Sequence, residues 1–366
     1  MTDYDVIIVG AGPAGCGAAW DLGRRGRSVL LLDRHQFPRA KACGGGLTIK
    51  TLRALRYSVS PVVQQVCNRM RISLRNERPA ILSAPSDICA MVVREEFDAY
   101  CLQETRDAGA EFRTIGRLMD VTESSDGVVI DTDAGPWRSR FLIGADGADS
   151  RVRKLSDQFH PDRQALAIEC QIPREPLKSN DMDFDFHVVP HGYGWAFPKA
   201  EHWNVGVAAL RASSGKALRR LLKDYVDQKF PGSQMTQTIG HRVGIGGWNY
   251  QPTSERVFLV GDAAGFCEPM LAEGIHNAIA SGQVAAQAIE HNLATGESAL
   301  QRFRQGLKPI WQDLRSCRRG AGFFYRYPRL GYSILAKPMF HRPLLGGFAQ
   351  GQAVATIRPF GRLLSW

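Results

Sequence analysis

Residues 4–33 read YDVIIVGAGPAGCGAAWDLGRRGRSVLLLD, and no other stretch limits the possible folds so severely. The apolar run from Tyr4 to Gly10 is a strand buried on both faces, because no polar residue interrupts it to face water after Asp5. PAGCGAAWDLGRRG follows as a helix rich in small residues, suited to close packing on a sheet. SVLLLD, Ser28 to Asp33, is a second buried strand. Two buried strands joined by a helix make a βαβ unit with parallel strands. The turn between strand and helix carries Gly10, Gly12 and Gly15. Gly10 permits the tight turn, Gly12 lets backbone approach a pyrophosphate, and Gly15 lets the helix lie against the sheet. Pro13 and Ala14 stand at the helix start, where unpaired N–H groups and the helix dipole face the phosphate charge. Asp33 ends the second strand, followed by Arg34, at the spacing where a carboxylate takes a ribose hydroxyl pair. The chain is therefore expected to bind a dinucleotide.

The rest of the chain reads as an α/β protein built around that unit. A short helix is expected from Leu47 to about Leu55. VVREEFDAYCLQETRDAGAEF gives a strand, a helix from Arg94 to Ala108 and another strand. GVVIDTDAGPWRSRFLIGADG gives two or three strands. Residues 165–212 alternate apolar and polar with turns at PREP and PHG, as in an antiparallel sheet. RVFLVGDAAG is again a buried strand, EGIHNAIASGQVAAQAIEHNL a long helix, and further helices follow. The expected organisation is a Rossmann-like nucleotide-binding domain over 1–155 and 240–300. An antiparallel β-sheet substrate domain over 156–239, with part of 56–92, is inserted in it, and a C-terminal helical, basic segment occupies 301–366.

Charge is concentrated at the end of the chain. Arg302 to Trp366 contains twelve Lys or Arg and one acid, Asp313, a net +11 in a chain whose total is +10. The same segment holds GFFYRYPRLGYSILAKPMFHRPLLGGF, cations interleaved with aromatics. That mixture suits an anionic membrane surface or a charged substrate head group, or equally a solvated face packed on the body. No nucleic-acid-binding motif accompanies it, so nucleic acid is not an expected partner. No run of eighteen apolar residues is present, and the first residues lack the basic start of a signal peptide, so a cytoplasmic protein is expected, with peripheral contact to the inner face of the membrane. Eight cysteines form no CxxC pair and no Cys/His cluster of zinc spacing, so no metal site is expected and most thiols should be buried and inert.

Two further motifs complete the pattern: GADGADSRVR, with Asp146-Gly147, and LVGDAAGFCEPMLAEGI, with Gly261-Asp262 and Gly274-Ile275. Together with the N-terminal GxGxxG, these resemble the FAD-dependent group of the para-hydroxybenzoate hydroxylase fold, over nearly the whole chain. The resemblance implies FAD as cofactor, with Asp262 on the ribityl chain, Asp146-Gly147 near the pyrophosphate and Arg94 reaching the cofactor. The plain alternative for each aspartate is a helix N-cap.

Within that group, KACGGG at Lys41–Gly46 resembles the KxCGGG segment of geranylgeranyl reductases, and GYGWAFPK at Gly192–Lys199 resembles their YxWxFP segment. What this implies is a loop of Ala42, Cys43, Gly44 and Gly45 beside the flavin and the substrate head, its glycines letting backbone approach the ring. Tyr193, Trp195, Phe197 and Pro198 would line a prenyl pocket. Reduced flavin would pass a hydride to one carbon of an alkene and a proton would reach the other, with Cys43 either the proton donor or a packing residue. The electron donor would be external: NADPH, a ferredoxin-like protein or a quinol. Flavin-dependent halogenases share the fold but carry WxWxIP where this chain has YGWAFP. Aromatic monooxygenases share the cofactor motifs, and prenyl carriers of Rab escort type share a related architecture without a working flavin site.

Overall fold

The computed structural model describes residues 3–161, 163–174, 180–210 and 214–357; residues 175–176 of the turn expected at PREP, 211–212 at the end of the expected sheet segment, and 358–366 of the basic tail lie outside them. In chain order the elements are β1 (Asp3–Val9), α1 (Pro13–Gly23), β2 (Val29–Asp33), β3 (Gly46–Thr48), α2 (Ile49–Ala54), β4 (Val63–Cys67), β5 (Arg69–Leu74), β6 (Glu77–Ser83) and β7 (Cys89–Val92). Then come α3 (Arg94–Asp107), β8 (Glu111–Thr114), β9 (Leu118–Ser124), β10 (Gly127–Thr132), β11 (Gly135–Gly144) and α4 (Arg151–Ser156). β12 (Arg163–Pro173), β13 (Met182–Phe186), β14 (Gly192–Pro198), β15 (His202–Ala209), α5 (Gly215–Lys229) and β16 (Thr236–Ile245) form the next block. The chain closes with β17 (Val257–Leu259), α6 (Ile275–Thr295), α7 (Ala299–Arg326), α8 (Pro328–Leu335) and α9 (Pro338–Ala349).

β1 lies between β2 and β11, parallel to both, and β8 extends the sheet beyond β2. β11 changes partners along its length. Its first half pairs antiparallel with β10, while Leu142–Gly144 pair parallel with β17. The late strand thus delivers Gly261-Asp262 beside the end of β11, where Asp146-Gly147 begins. All these ends open on the same edge as the Gly10–Gly15 turn, the position where ligands bind open α/β sheets. α6 crosses α1 closely enough that a Cβ on Gly282 would lie 2.2 Å from the Ala14 carbonyl oxygen.

The second sheet runs β16-β12-β15-β14-β13-β5-β6. Two expectations need correction here. The sheet is not wholly antiparallel: β13 runs parallel to β5, with Met182 opposite Met70 and Phe186 opposite Leu74. The β5–β6 hairpin comes from far earlier in the chain, so no tight turn dictates its direction relative to β13. The boundary expected at 239/240 also falls inside β16, which pairs with β12 from Thr236 to Ile245. In addition, the helix expected from Leu47 starts at Ile49, since Gly46–Thr48 pair with β7 as a short strand.

Alternation along the strands gives this sheet two faces. Ile168, Cys170, Ala196, Val205 and Val207 pack under α5 through Leu218, Leu222 and Tyr225. The opposite face carries Phe184, Phe186, Tyr193, Trp195 and Phe197 and looks toward the first sheet and the C-terminal helices. Among the described residues no helix is long and apolar enough to cross a membrane.

Candidate active site

A single cavity of about 1310 Å³ runs from the Gly10–Ala14 turn, past residues 39–46, to the aromatic face of the second sheet and the inner sides of α7, α8 and α9. It exceeds the roughly 300–1,000 Å³ of an ordinary small-molecule pocket, which leaves room for a cofactor and a second ligand together.

The first lobe is polar and electropositive. Gly10 adopts φ +108°, and a Cβ there would lie 2.3 Å from the Ala145 carbonyl oxygen, so only glycine fits where β1 meets the end of β11. Gly12 faces open space: the nearest atom to a Cβ would be an Arg39 nitrogen at 3.9 Å. No side chain caps α1, so its first N–H groups remain available to an anion. Asp33 accepts from the Ala11 N–H at 2.8 Å and the His35 N–H at 2.9 Å, fixing its carboxylate at the cavity wall beside Arg34. Gly15 and Gly261 stand behind the wall, since the close approach of α1 to β1 and to the last turn occupies them.

Arg39, Lys41, Arg94 and His241 gather in the same lobe. The buried Arg94 makes a two-pronged ion pair with Asp98, 2.8 Å on each arm, and Arg39 reaches the same carboxylate at 3.0 Å. Lys41 contacts His241, and both line the cavity. Burial, helped by Arg94, lowers the Lys41 ammonium to about 8 against the opposing pull of Asp262. Burial and then Lys41 lower His241 to about 3, so its imidazole is neutral at ordinary pH. Burial raises Asp262, with Lys41 pulling it back, and its Oδ2 accepts from the Gly244 N–H at 3.1 Å.

The two aspartates expected to serve the cofactor differ. Asp262 lines the cavity with one backbone contact. Asp146 also lies at the cavity, but Ser150 Oγ donates to its Oδ1 at 2.5 Å while the Arg151 and Val152 N–H groups donate to Oδ2 at 2.6 and 3.1 Å. Its carboxylate is therefore spent on the first N–H groups of α4 and on Ser150, which is the N-cap proper and accepts from the Arg153 N–H at 2.9 Å, while Gly147, at φ +81°, has open space around it. Arg153 ties the two turns together, donating to the Ala148 carbonyl at 2.7 Å and the Ala263 carbonyl at 2.8 Å.

The loop Ala42–Gly46 stands at the junction of the lobes. Cys43 is half-buried and lines the cavity, its sulfur accepting from the Gly45 N–H at 3.4 Å and lying within reach of the Arg94 guanidinium. The glycines of this loop, which line the cavity, also answer to packing within the protein. A Cβ on Gly44 would lie 2.7 Å from the Phe197 ring, and one on Gly45, at φ +64°, would lie 2.1 Å from the Val92 carbonyl oxygen. They let the loop press against the aromatic strand and β7. Behind the loop is a buried polar cluster that sequence reasoning did not single out. Lys199, 1% exposed, donates to the Gly44 carbonyl at 2.7 Å. Glu169 faces the Cys43 N–H and the Asn204 amide, and Asn204 accepts from the Trp195 indole at 2.7 Å. Burial lowers Lys199 to about 8 and raises Glu169.

The second lobe is apolar. Tyr193, Trp195 and Phe197 alternate along β14 with ring spacings of 5.9 and 6.4 Å. Phe184 meets Phe197 at 5.0 Å, and Phe186 meets Phe324 of α7 at 4.7 Å. Pro198 departs from expectation: the period of two turns it to the other face, and it does not line the cavity. The segment Cys267–Gly274 roofs the junction. Glu268, raised by burial, accepts from the N–H groups of Met270, Leu271 and Glu273. Tyr193 and Tyr325 donate to the Leu271 and Met270 carbonyls, and Lys50 pairs with Glu273 at 2.6 Å. Gly274 and Ile275 start α6 at the cavity edge. Of the missed residues, Lys41, Arg153, Lys199 and Glu268 all sit inside motifs legible in the sequence.

Comparison with known proteins supplies names. Residues 3–172 match the family model of the FAD binding domain, and residues 169–245 that of the geranylgeranyl reductase catalytic domain. The digeranylgeranylglycerophospholipid reductase 1 of Methanopyrus kandleri is 30% identical, over 87% of this chain and 89% of its own. The geranylgeranyl diphosphate reductase of Rhodobacter capsulatus is 31% identical, over 81% of this chain and 77% of its own. The crystal structure of a geranylgeranyl bacteriochlorophyll reductase-like protein from Thermoplasma acidophilum superposes with a TM-score of 0.84 at 21% identity, covering 100% of this chain and 99% of that one.

Proposed function

This chain belongs to the geranylgeranyl reductase family of FAD-dependent oxidoreductases, and from that membership we propose that it saturates carbon–carbon double bonds in a prenyl-type chain. The observation that carries the proposal is one continuous cavity with an electropositive lobe at a dinucleotide turn and an apolar, aromatic lobe beyond it. The open backbone at Gly12, the uncapped start of α1, and the cations Arg39, Lys41 and Arg94 fit the pyrophosphate of FAD. Asp33 fits a ribose, and Gly147 and Asp262 fit the remainder. We assign the cofactor unit to residues 1–155 and 246–300, moving the boundary past β16.

Reduced FAD supplies a hydride to the alkene when bound. The protein's own residues hold the chain and exclude water. Tyr193, Trp195, Phe197 and Phe184 offer flat apolar surfaces to an isoprene unit, and ordering an unactivated alkene in a dry site lowers the entropic part of the barrier. We assign the second carbon's proton to Cys43, at the junction, with a packing role as its alternative. The basic residues at the cavity and the C-terminal helices suit a phosphate-bearing head and an anionic membrane surface. The reductant is external: NADPH, a ferredoxin-like protein or a quinol.

The test is anaerobic. The purified yellow protein is reduced chemically, mixed with geranylgeranyl diphosphate or a geranylgeranylated glycerophospholipid, and the apolar extract is analysed by mass spectrometry. Products heavier by one H₂ per bond are expected, with reoxidation of the flavin spectrum. Reoxidation only on admitting air, with an oxygenated product, would replace this reading with a monooxygenase.

A further inference from the structure

Among the described residues seven large apolar side chains are strongly exposed, and four of them, Phe323, Tyr327, Leu330 and Met339, fall in the stretch from the end of α7 to the start of α9. Arg326, Arg329, Lys337 and Arg342 are exposed in that stretch as well. From Leu314 to Ile357 the sequence contains no Asp or Glu. Monomeric proteins rarely gather exposed apolar groups in one place without a partner for them. Here the accompanying charge is of one sign, so the partner is anionic.

The patch and the cavity meet. Phe323 is 43% exposed and also lines the cavity, so it stands at an opening. Gly331, Ile334 and Leu335 of α8 line the cavity from within, while Arg329 and Leu330 of the same helix face outward. α8 is therefore a wall one helix thick between the apolar lobe and the patch. Its position is fixed by Tyr332, whose hydroxyl donates to the Arg78 carbonyl. Eight residues are too few to span a bilayer, but a helix with apolar residues and flanking cations lies in an interface.

We propose that α8, with the end of α7 and the start of α9, docks on an anionic bilayer surface, and that the cavity opens there so that a prenyl chain passes from the lipid into the apolar lobe without crossing water. The entry route rests on the reductase reading above; the docking itself does not. The exposed apolar side chains enter the acyl boundary, and the four cations meet lipid phosphates.

The experiment is flotation of the full chain with vesicles of phosphatidylcholine alone or mixed with phosphatidylglycerol. The wild type floats with the mixed vesicles and sediments from the neutral ones, and binding weakens with salt. Each cation near an anionic surface contributes roughly a factor of five, so Arg326→Ala, Arg329→Ala, Lys337→Ala and Arg342→Ala together lower the partition coefficient by on the order of 10²–10³-fold. Leu330→Glu with Met339→Glu abolishes flotation, whereas Met119→Glu, an exposed apolar residue on β9, leaves it unchanged. Leu330→Glu with Met339→Glu also raises KM for a vesicle-borne substrate while sparing turnover of a short detergent-dispersed one. No flotation of the wild type, an equal loss with Met119→Glu, or patch variants that split a dimer while lipid binding persists would each overturn the docking. Flotation without reduction of any prenyl substrate would leave the docking in place and refute the reductase reading instead.

Discussion

Replacing Lys199 by Met tests the buried cluster behind the cysteine-glycine loop. Among the described residues no carboxylate lies within ion-pairing distance of this ammonium, and its hydrogen bond to the Gly44 carbonyl is its main compensation. Burial lowers it from 10.5 to about 8. Below pH 8 the folded protein carries the buried charge at a constant penalty. Between about 8 and 10.5 the unfolded chain holds a proton that the folded chain has lost, so folding stability rises with pH through that window. A drop from 10.5 to about 8 corresponds to about 3 kcal/mol. Met keeps the volume, removes the charge, and leaves the Gly44 carbonyl without its donor, which costs about 1–3 kcal/mol. Lys199→Met should therefore be as stable as the wild type at neutral pH, or more stable by up to about 2 kcal/mol. Its advantage should shrink by about 3 kcal/mol as pH rises past the Lys199 window. Urea unfolding of both proteins at saturating FAD measures this, and taking the difference at each pH cancels Lys41, which titrates nearby. Turnover should fall even where stability does not, because the loop has lost its rear anchor. A variant several kcal/mol less stable at neutral pH, or a difference flat across the window, would refute the claim that this lysine is held at a cost for the sake of the loop.

Cys43→Ala should keep its flavin and lose about 10²–10⁴-fold in alkene reduction if the thiol delivers the proton; a loss of a few-fold in single-turnover assays would leave it a packing residue. Gly45→Val should lower stability by at least about 1–3 kcal/mol, since overpacking and a left-handed φ act together, and thermal unfolding reads it directly. Asp262→Ala should release FAD on gel filtration while the apoprotein unfolds almost as before. Asp146→Ala should do the converse, costing about 1–3 kcal/mol because the Ser150 hydroxyl and the Arg151 and Val152 N–H groups lose their acceptor, with flavin affinity affected less; equal flavin loss in both would show that this carboxylate serves the cofactor as well.

The cofactor half of this molecule was legible because its chemistry is carried by backbone. Gly10, Gly12 and Gly15 have one stereochemical reading after a buried strand, and Val6–Val9 of β1, Val29–Leu32 of β2 and all of β17 are apolar. The aromatic stretch was legible as three rings in alternation, and the same alternation explains why Pro198 was wrongly placed with them. What stayed hidden depends on tertiary pairing. Nothing local tells Asp146, whose carboxylate is taken up by Ser150 and the first N–H groups of α4, from Asp262, which accepts a single N–H from Gly244. The parallel docking of β5 on β13 joins segments more than a hundred residues apart. Lys199 reads as an ordinary charge after a strand, and only the packing of β14 against the loop turns it inward.

The guanidinium of Arg153 joins two carbonyls, one five residues away and the other 110 residues further along the chain. During synthesis the first of these contacts is available long before the second. At roughly 5–20 residues per second, 110 residues take about 5–20 s to emerge. Through that interval the residues of the glycine turn of β1 and of the Asp146 turn are already made, while Ala263 and Asp262 are still untranslated. All strands of the second sheet, through Ile245, precede Asp262 in the chain, so the substrate wall is synthesised before the residue that closes on a flavin. Cofactor capture is therefore expected late in synthesis, and a chain stalled before β17 should hold a dinucleotide turn without Asp262 to help keep its ligand.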